Sequence, residues 1–175
     1  DRTLHAIDAK RVRWECIAPT SHATLTTPRR TIEGPGYLER LELTLEPWRL
    51  PIETLRWGRF ATYARSVVWI QWRGPHPIDL VLVDGVEHSA ASIDDQAVRW
   101  SGGHVALTQQ RTIRDAPLGA GALAWLPKVT KALPVRLLRA HETKWFGDAT
   151  LHEADATTCG TALWERVTFA EGNAR

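Results

Sequence analysis

The sequence predicts a mainly β protein, an antiparallel barrel or sandwich, and three observations carry that reading. Short segments alternate apolar and polar residues with a period of two. Glycine and proline turn signals separate them about every ten residues. One stretch alone, 116–134, repeats its apolar residues at roughly helical spacing.

The elements follow in order. "RVRWECIA" (11–18) alternates Val12, Trp14, Cys16 and Ala18 against Arg13 and Glu15, the pattern of a half-buried strand. "GYLERLELTLE" (36–46) sets Tyr37, Leu41, Leu43 and Leu45 on one face and Arg40, Glu42, Thr44 and Glu46 on the other. In "TLRWGRFA" (54–61), Leu55, Trp57 and Arg59 share a face. "SVVWIQW" (66–72) and "IDLVLVDG" (78–85) flank "RGPHP", whose Gly74, Pro75 and Pro77 break the ladder. "QAVRW" (96–100) and "HVALTQ" (104–109) are joined by "SGG", a hairpin spacing. The last strands come from "LLRAHETKWFGDATLHEA" and "TALWERVTFAE". In "APLGAGALAWLPKVTKALP", alanines favour helix while Gly119, Gly121 and Pro127 weaken it, so one or two short helices are expected near residues 117–133.

Composition bounds the function. The chain of 175 residues is 43% hydrophobic and 24% charged, which fits one globular domain over 1–175 with a substantial core. The net charge is +2, too small for polyanion binding without a concentrated patch. No apolar run approaches the ~18 residues of a membrane span. Cys16 and Cys159 have no metal-type spacing and read as two thiols, with a disulfide left open. The chain begins at Asp1 and contains no methionine, so an upstream segment or domain is expected. A cytoplasmic location is expected.

Some residues break the apolar pattern. Glu39 lies on the Tyr37/Leu41/Leu43 face, so the pleat aims a carboxylate at the interior. There it must be paired, solvated by a cavity, or protonated. Glu165 repeats this among Leu163, Val167 and Phe169, and Arg59 is the expected partner of either carboxylate. "AHETKW" places His141, Thr143 and Trp145 on one face and Glu142 and Lys144 on the other, which makes His141 a candidate titrating group. Glu39, Glu165 and His141 are therefore the candidate catalytic groups. Tyr37, Trp57, Arg59, Trp72, Trp145 and Trp14 are the candidate ligand-binding residues. Trp69 falls opposite Trp72 in phase. There is no HExxH, no GxSxG elbow and no dinucleotide fingerprint, so no metal or other cofactor is expected.

The motif series "RVRWECIAP", "EGPGYLERLEL", "LPIETLRWGR", "VVWIQWRG", "HETKW" and "GTALWERVTF" resembles the carotenoid hydratase (hydroxyneurosporene synthase)/AttH-like lipocalin-like family, in order over most of residues 11–170. That resemblance implies a closed antiparallel calycin barrel around an apolar cavity. It also implies chemistry such as acid-catalysed hydration of a polyene or cyclisation of a bound linear precursor, including Diels–Alder reactions. Members of the family usually carry two barrel-like domains, so this chain would supply one, either the C-terminal half of a longer protein or a reduced relative. The expected function is an enzyme that hydrates, isomerises or cyclises an apolar, polyene- or terpenoid-like molecule. A non-catalytic carrier of a hydrophobic ligand is the alternative. The expected partner is thus a hydrophobic small molecule, not nucleic acid, with a homodimer or a missing N-terminal domain left open.

Overall fold

The computed structural model describes residues 1–7, 9–121 and 133–169. Twelve strands lie among them, and two sheets account for all twelve. The smaller sheet is an antiparallel meander of β1 (Arg2–Ile7), β2 (Lys10–Thr26) and β3 (Thr31–Leu43). The larger contains β4 (Thr54–Ala61), β5 (Ser66–Arg73), β6 (Ile78–Val83), β7 (Val86–His88), β8 (Ala90–Ile93), β9 (Ala97–Trp100), β10 (Gly103–Pro117), β11 (His141–Glu153) and β12 (Ala156–Thr168). Its order is β7-β6-β5-β4-β12-β11-β10-β9-β8, with antiparallel pairing throughout.

The two edge strands of this sheet, β7 and β8, are consecutive in the chain and separated by Ser89 alone. The sheet therefore curls strongly into a half-barrel that brings its edges together, a mainly β, lipocalin-like architecture. Local chemistry supports the curl. Asp84 (φ 50°) and Gly85 (φ 86°) join β6 to β7 in the left-handed conformation that a two-residue type I′ hairpin requires. Ser101 and Gly102 make the matching two-residue link between Trp100 and Gly103.

Inside the curl the core is filled. Phe60, Trp69 and Val81 from one side of the sheet meet Val98, Val105 and Leu151 from the other, with Trp145 stacked on Trp164 at 5.9 Å. Gly58 makes room for this, because a Cβ there would lie 2.3 Å from Cζ2 of Trp69. A polar network continues along the same face. Arg56 donates to Asp95 and Gln71 at 2.9 Å each, Gln71 donates to Asp79 at 2.9 Å, and Arg166 pairs with Asp95.

The small sheet packs on the opposite, convex face, where Leu4, Val12 and Trp14 meet Val68, Ile70, Trp72 and Leu80. Strand β5 is thus buried on both faces from Ser66 to Trp72, which explains its near-continuous apolar run. The chain passes between the sheets through residues 44–53, where Leu45, Leu50 and Ile52 are buried. Tyr37, Leu41 and Leu43 belong to β3, whereas Leu45 lies just past its end.

The helices expected near 117–133 fall mainly on residues 122–132, outside those described; Pro117 ends β10 and 118–121 form a turn. One short helix, α1 (Val135–Arg139), follows, and its Arg136 donates to the carbonyl of Ile52 at 2.8 Å. No helix among the described residues is long and apolar enough to cross a membrane. Both cysteines are free thiols, Cys16 half-buried and Cys159 exposed.

Candidate functional site

A cavity of about 510 Å³ lies between the small sheet and the convex face of the large one. Its walls are aliphatic and aromatic: Val12 and Trp14 from β2, Leu41 and Leu43 from β3, Trp57 and Trp72 from β4 and β5, and Phe169 after β12. Three charged side chains enter it: Glu39, Glu165 and Lys144. The expected apolar cavity is present, but the curl does not enclose it. The concave face is packed with indoles, and the covering sheet turns the other face into an interior.

One cross-strand row organises the floor. The register partners Arg114, Lys144, Glu165, Trp57, Ile70 and Leu80 run across β10, β11, β12, β4, β5 and β6. Because neighbouring register partners share a face, the row passes from paired charge to bare hydrocarbon over six strands.

Glu39 hangs from the roof. Its Oε2 accepts from the indole of Trp14 at 2.6 Å, the phenol of Tyr37 at 2.8 Å and the indole of Trp57 at 3.3 Å. Trp57 belongs to the other sheet, so this carboxylate bridges the two layers. Burial, and then the adjacent Glu39 carboxylate, push the Tyr37 phenol well above its usual range. The Cys16 thiol on the same face is raised by burial, with a hydrogen bond to Tyr37 opposing.

The floor charges form a chain. Lys144 Nζ lies 2.5 Å from Glu165 Oε2 and 3.2 Å from Glu142 Oε1, and Arg114 reaches Glu142 Oε2 at 2.9 Å. Burial pushes Glu165 above the ordinary glutamate value, and the Lys144 contact only partly offsets it. Burial would lower Lys144, but its bond to Glu165 and the charge of both glutamates hold the ammonium above its usual value. Glu142 is only 3% exposed. Burial raises it, yet Arg114 and Lys144 outweigh burial and keep it below the ordinary value. The site thus holds a carboxyl that takes up a proton more readily than an ordinary glutamate, beside an ammonium and a carboxylate that takes one up less readily.

Of the residues singled out from sequence, Glu39, Glu165, Trp14, Trp57 and Trp72 line this cavity together. Tyr37 packs behind it, bonded to Glu39. Arg59 makes no ion pair with either glutamate; its guanidinium lies over the Tyr37 ring at 5.4 Å. His141 sits outside the cavity, half exposed and 2.7 Å from Asp115. Trp145 belongs to the filled concave core. Lys144 is the group that sequence reading missed. It alternates with His141 and Trp145 on β11, and the cavity face of that strand is the Glu142/Lys144 face. The signal was there, two opposite charges two residues apart on a strand otherwise rich in buried residues.

No family model matches the chain, and no curated protein matches it. Among solved structures, the crystal structure of CghA with Sch210972 is similar, with a TM-score of 0.53 and 12% identity over 93% of this chain. The likeness is one of fold alone. This chain spans 56% of that protein's length.

Proposed function

We propose that this protein is an enzyme that holds an apolar, polyene- or terpenoid-like small molecule in the cavity between its sheets and catalyses hydration, isomerisation or cyclisation of it. The observation that carries the reading is an apolar cavity of about 510 Å³ into which two glutamates and a lysine project. A cavity of that size matches a small organic ligand, and its few polar groups would orient one. Polar groups that served packing alone would be expensive at such a place.

In this reading Glu165 is the proton donor. Its raised carboxyl is protonated more readily than an ordinary glutamate, and displacing water with an apolar ligand raises it further. Protonating a double bond moves the Glu165 proton to one alkene carbon and leaves the charge on its neighbour. Glu39 and the indoles of Trp57 and Trp72 then stabilise that cation. Loss of a different proton to the Glu165 carboxylate completes an isomerisation; attack by a second double bond forms a ring and a new cation, which loses a proton to the same carboxylate; and addition of water, with its proton passing to that carboxylate, gives an alcohol. Lys144 sets the protonation balance of Glu165. That this fold is shared with CghA, whose structure contains Sch210972, supports a ligand site in the architecture.

The 2.5 Å contact between Lys144 and Glu165 favours a second reading, a carrier whose charges neutralise one another and only hold the cavity open. One experiment separates the two. The purified protein is analysed by native mass spectrometry, any co-purified molecule is extracted and identified, and that molecule or its precursor is incubated with the parent and with Glu165→Gln. An enzyme loses turnover in the variant while still binding. A carrier binds in both and turns over in neither, and an empty cavity that takes up no polyene or terpenoid overturns both readings.

A further inference from the structure

We propose that the molecule bound in this cavity carries a hydroxyl or an N–H group that donates to Glu39. The proposal rests on the reading of the cavity as a ligand site and names the chemical class of its occupant. It follows from an account of donors and acceptors around the one charged group in the roof.

A carboxylate has two oxygens and about four acceptor positions. In Glu39, Oε2 takes three donors, Trp14, Tyr37 and Trp57, and Oε1 takes none among the described residues. The three donors come from β2, β3 and β4, so they fix the carboxylate from both sheets and leave it little freedom to rotate. All three have given their single polar hydrogen to Oε2 and have none left for a ligand. On the floor, Lys144 gives two of its three N–H groups to Glu142, at 3.2 Å, and Glu165, at 2.5 Å. Arg59, on the same face of β4 as Trp57, has its guanidinium over the Tyr37 ring. What the roof offers an incoming molecule is therefore one oriented acceptor amid hydrocarbon. An apolar molecule without a donor would bury that oxygen unpaired, whereas an alcohol, enol or amide N–H would satisfy it. A ligand carboxylate would meet like charge.

The test uses matched probes. All-trans-retinol and its methyl ether share one polyene, and farnesol and its methyl ether form a second pair of different shape; retinoic acid supplies the carboxylate. Binding is followed by quenching of tryptophan fluorescence and by native mass spectrometry, in the parent and in Glu39→Gln. The expected result is that each alcohol binds the parent at least roughly tenfold more tightly than its ether. Retinoic acid should bind more weakly than retinol, and the alcohol–ether gap should narrow in the variant. Equal affinity of alcohol and ether in both pairs overturns the donor assignment while leaving the cavity as a ligand site. Failure of every probe to bind overturns the cavity reading itself. If Glu39→Gln does not fold, the alcohol–ether comparison in the parent decides alone.

Discussion

The indole of Trp57 donates to the carboxylate of Glu39 at 3.3 Å, across two sheets that share no strand pairing. With Trp14 and Tyr37 donating to the same oxygen, the contact ties the covering sheet to the half-barrel at the cavity wall. Glu39→Leu leaves three donors, the buried Trp14 and the half-buried Tyr37 and Trp57, without their acceptor and is expected to destabilise the fold by about 3 kcal/mol, whereas Glu39→Gln keeps an acceptor oxygen and costs about 1 kcal/mol. Urea unfolding monitored by tryptophan fluorescence measures both. Equal losses for the two variants would show that the hydrogen bonds are not what holds the layers.

Lys144 stands between two carboxylates, and removing it exposes them to one another. Lys144→Met is expected to cost about 3 kcal/mol, because Glu165 and Glu142 then lose their shared cation in a poorly solvated place. The double variant Lys144→Met/Glu165→Leu should recover much of that loss, since it removes the stranded charge as well. A double-mutant cycle on chemical unfolding reads the coupling directly. Additive effects would rule it out.

The two floor glutamates should give stability opposite dependences on pH. Glu165 is raised in the folded state, mainly by burial, so its contribution is fully present below the ordinary glutamate value and is lost as pH rises through the raised one. Glu142 is lowered: burial opposes, but Arg114 and Lys144 prevail, so its contribution is present above the ordinary value and is lost as pH falls through the depressed one. Relative to the parent, Glu165→Gln should therefore gain thermal stability as pH rises above about 4, and Glu142→Gln should gain as pH falls below about 4. Melting curves on either side of that pH test it, and parallel profiles for parent and variants would refute the assignment.

Gly58 is where the concave core comes closest to the backbone. A Cβ there would sit 2.3 Å from the Trp69 ring and 2.6 Å from Cβ of Trp164. Both indoles belong to well-packed strands, so neither has room to withdraw. Gly58→Ala is expected to cost about 2 to 3 kcal/mol through overpacking, despite the better strand propensity of alanine. A thermal melt suffices; an unchanged midpoint would mean that the core yields more easily than its burial indicates.

Much of this arrangement was legible from alternation alone. A period of two put Glu39 with Tyr37, Leu41 and Leu43, put Trp57 with Leu55, set Trp69 opposite Trp72, and put Glu165 with Leu163 and Phe169. The structure has the same groupings. The partner of Glu165 was not legible. Arg59 was the natural choice on charge and phase, but β12 pairs with both β4 and β11, and the β11 side presents Lys144 directly opposite Glu165. Register across a ladder joins residues about twenty apart here, and no local pattern carries that information.

What the sequence by itself determined is which side chains share a face, because backbone pleating is local and every alternating strand obeys it. Only the tertiary structure decided which face of the nine-stranded sheet would hold the cavity. Both faces are apolar enough to be buried, as the doubly buried β5 shows. The curl that brings β7 and β8 together fills one face with tryptophan, while the separate β1–β3 sheet covers the other without filling it. That outcome depends on contacts between strands far apart in the chain, on sheet curvature and on the volumes that meet there, none of which a single strand's pattern contains.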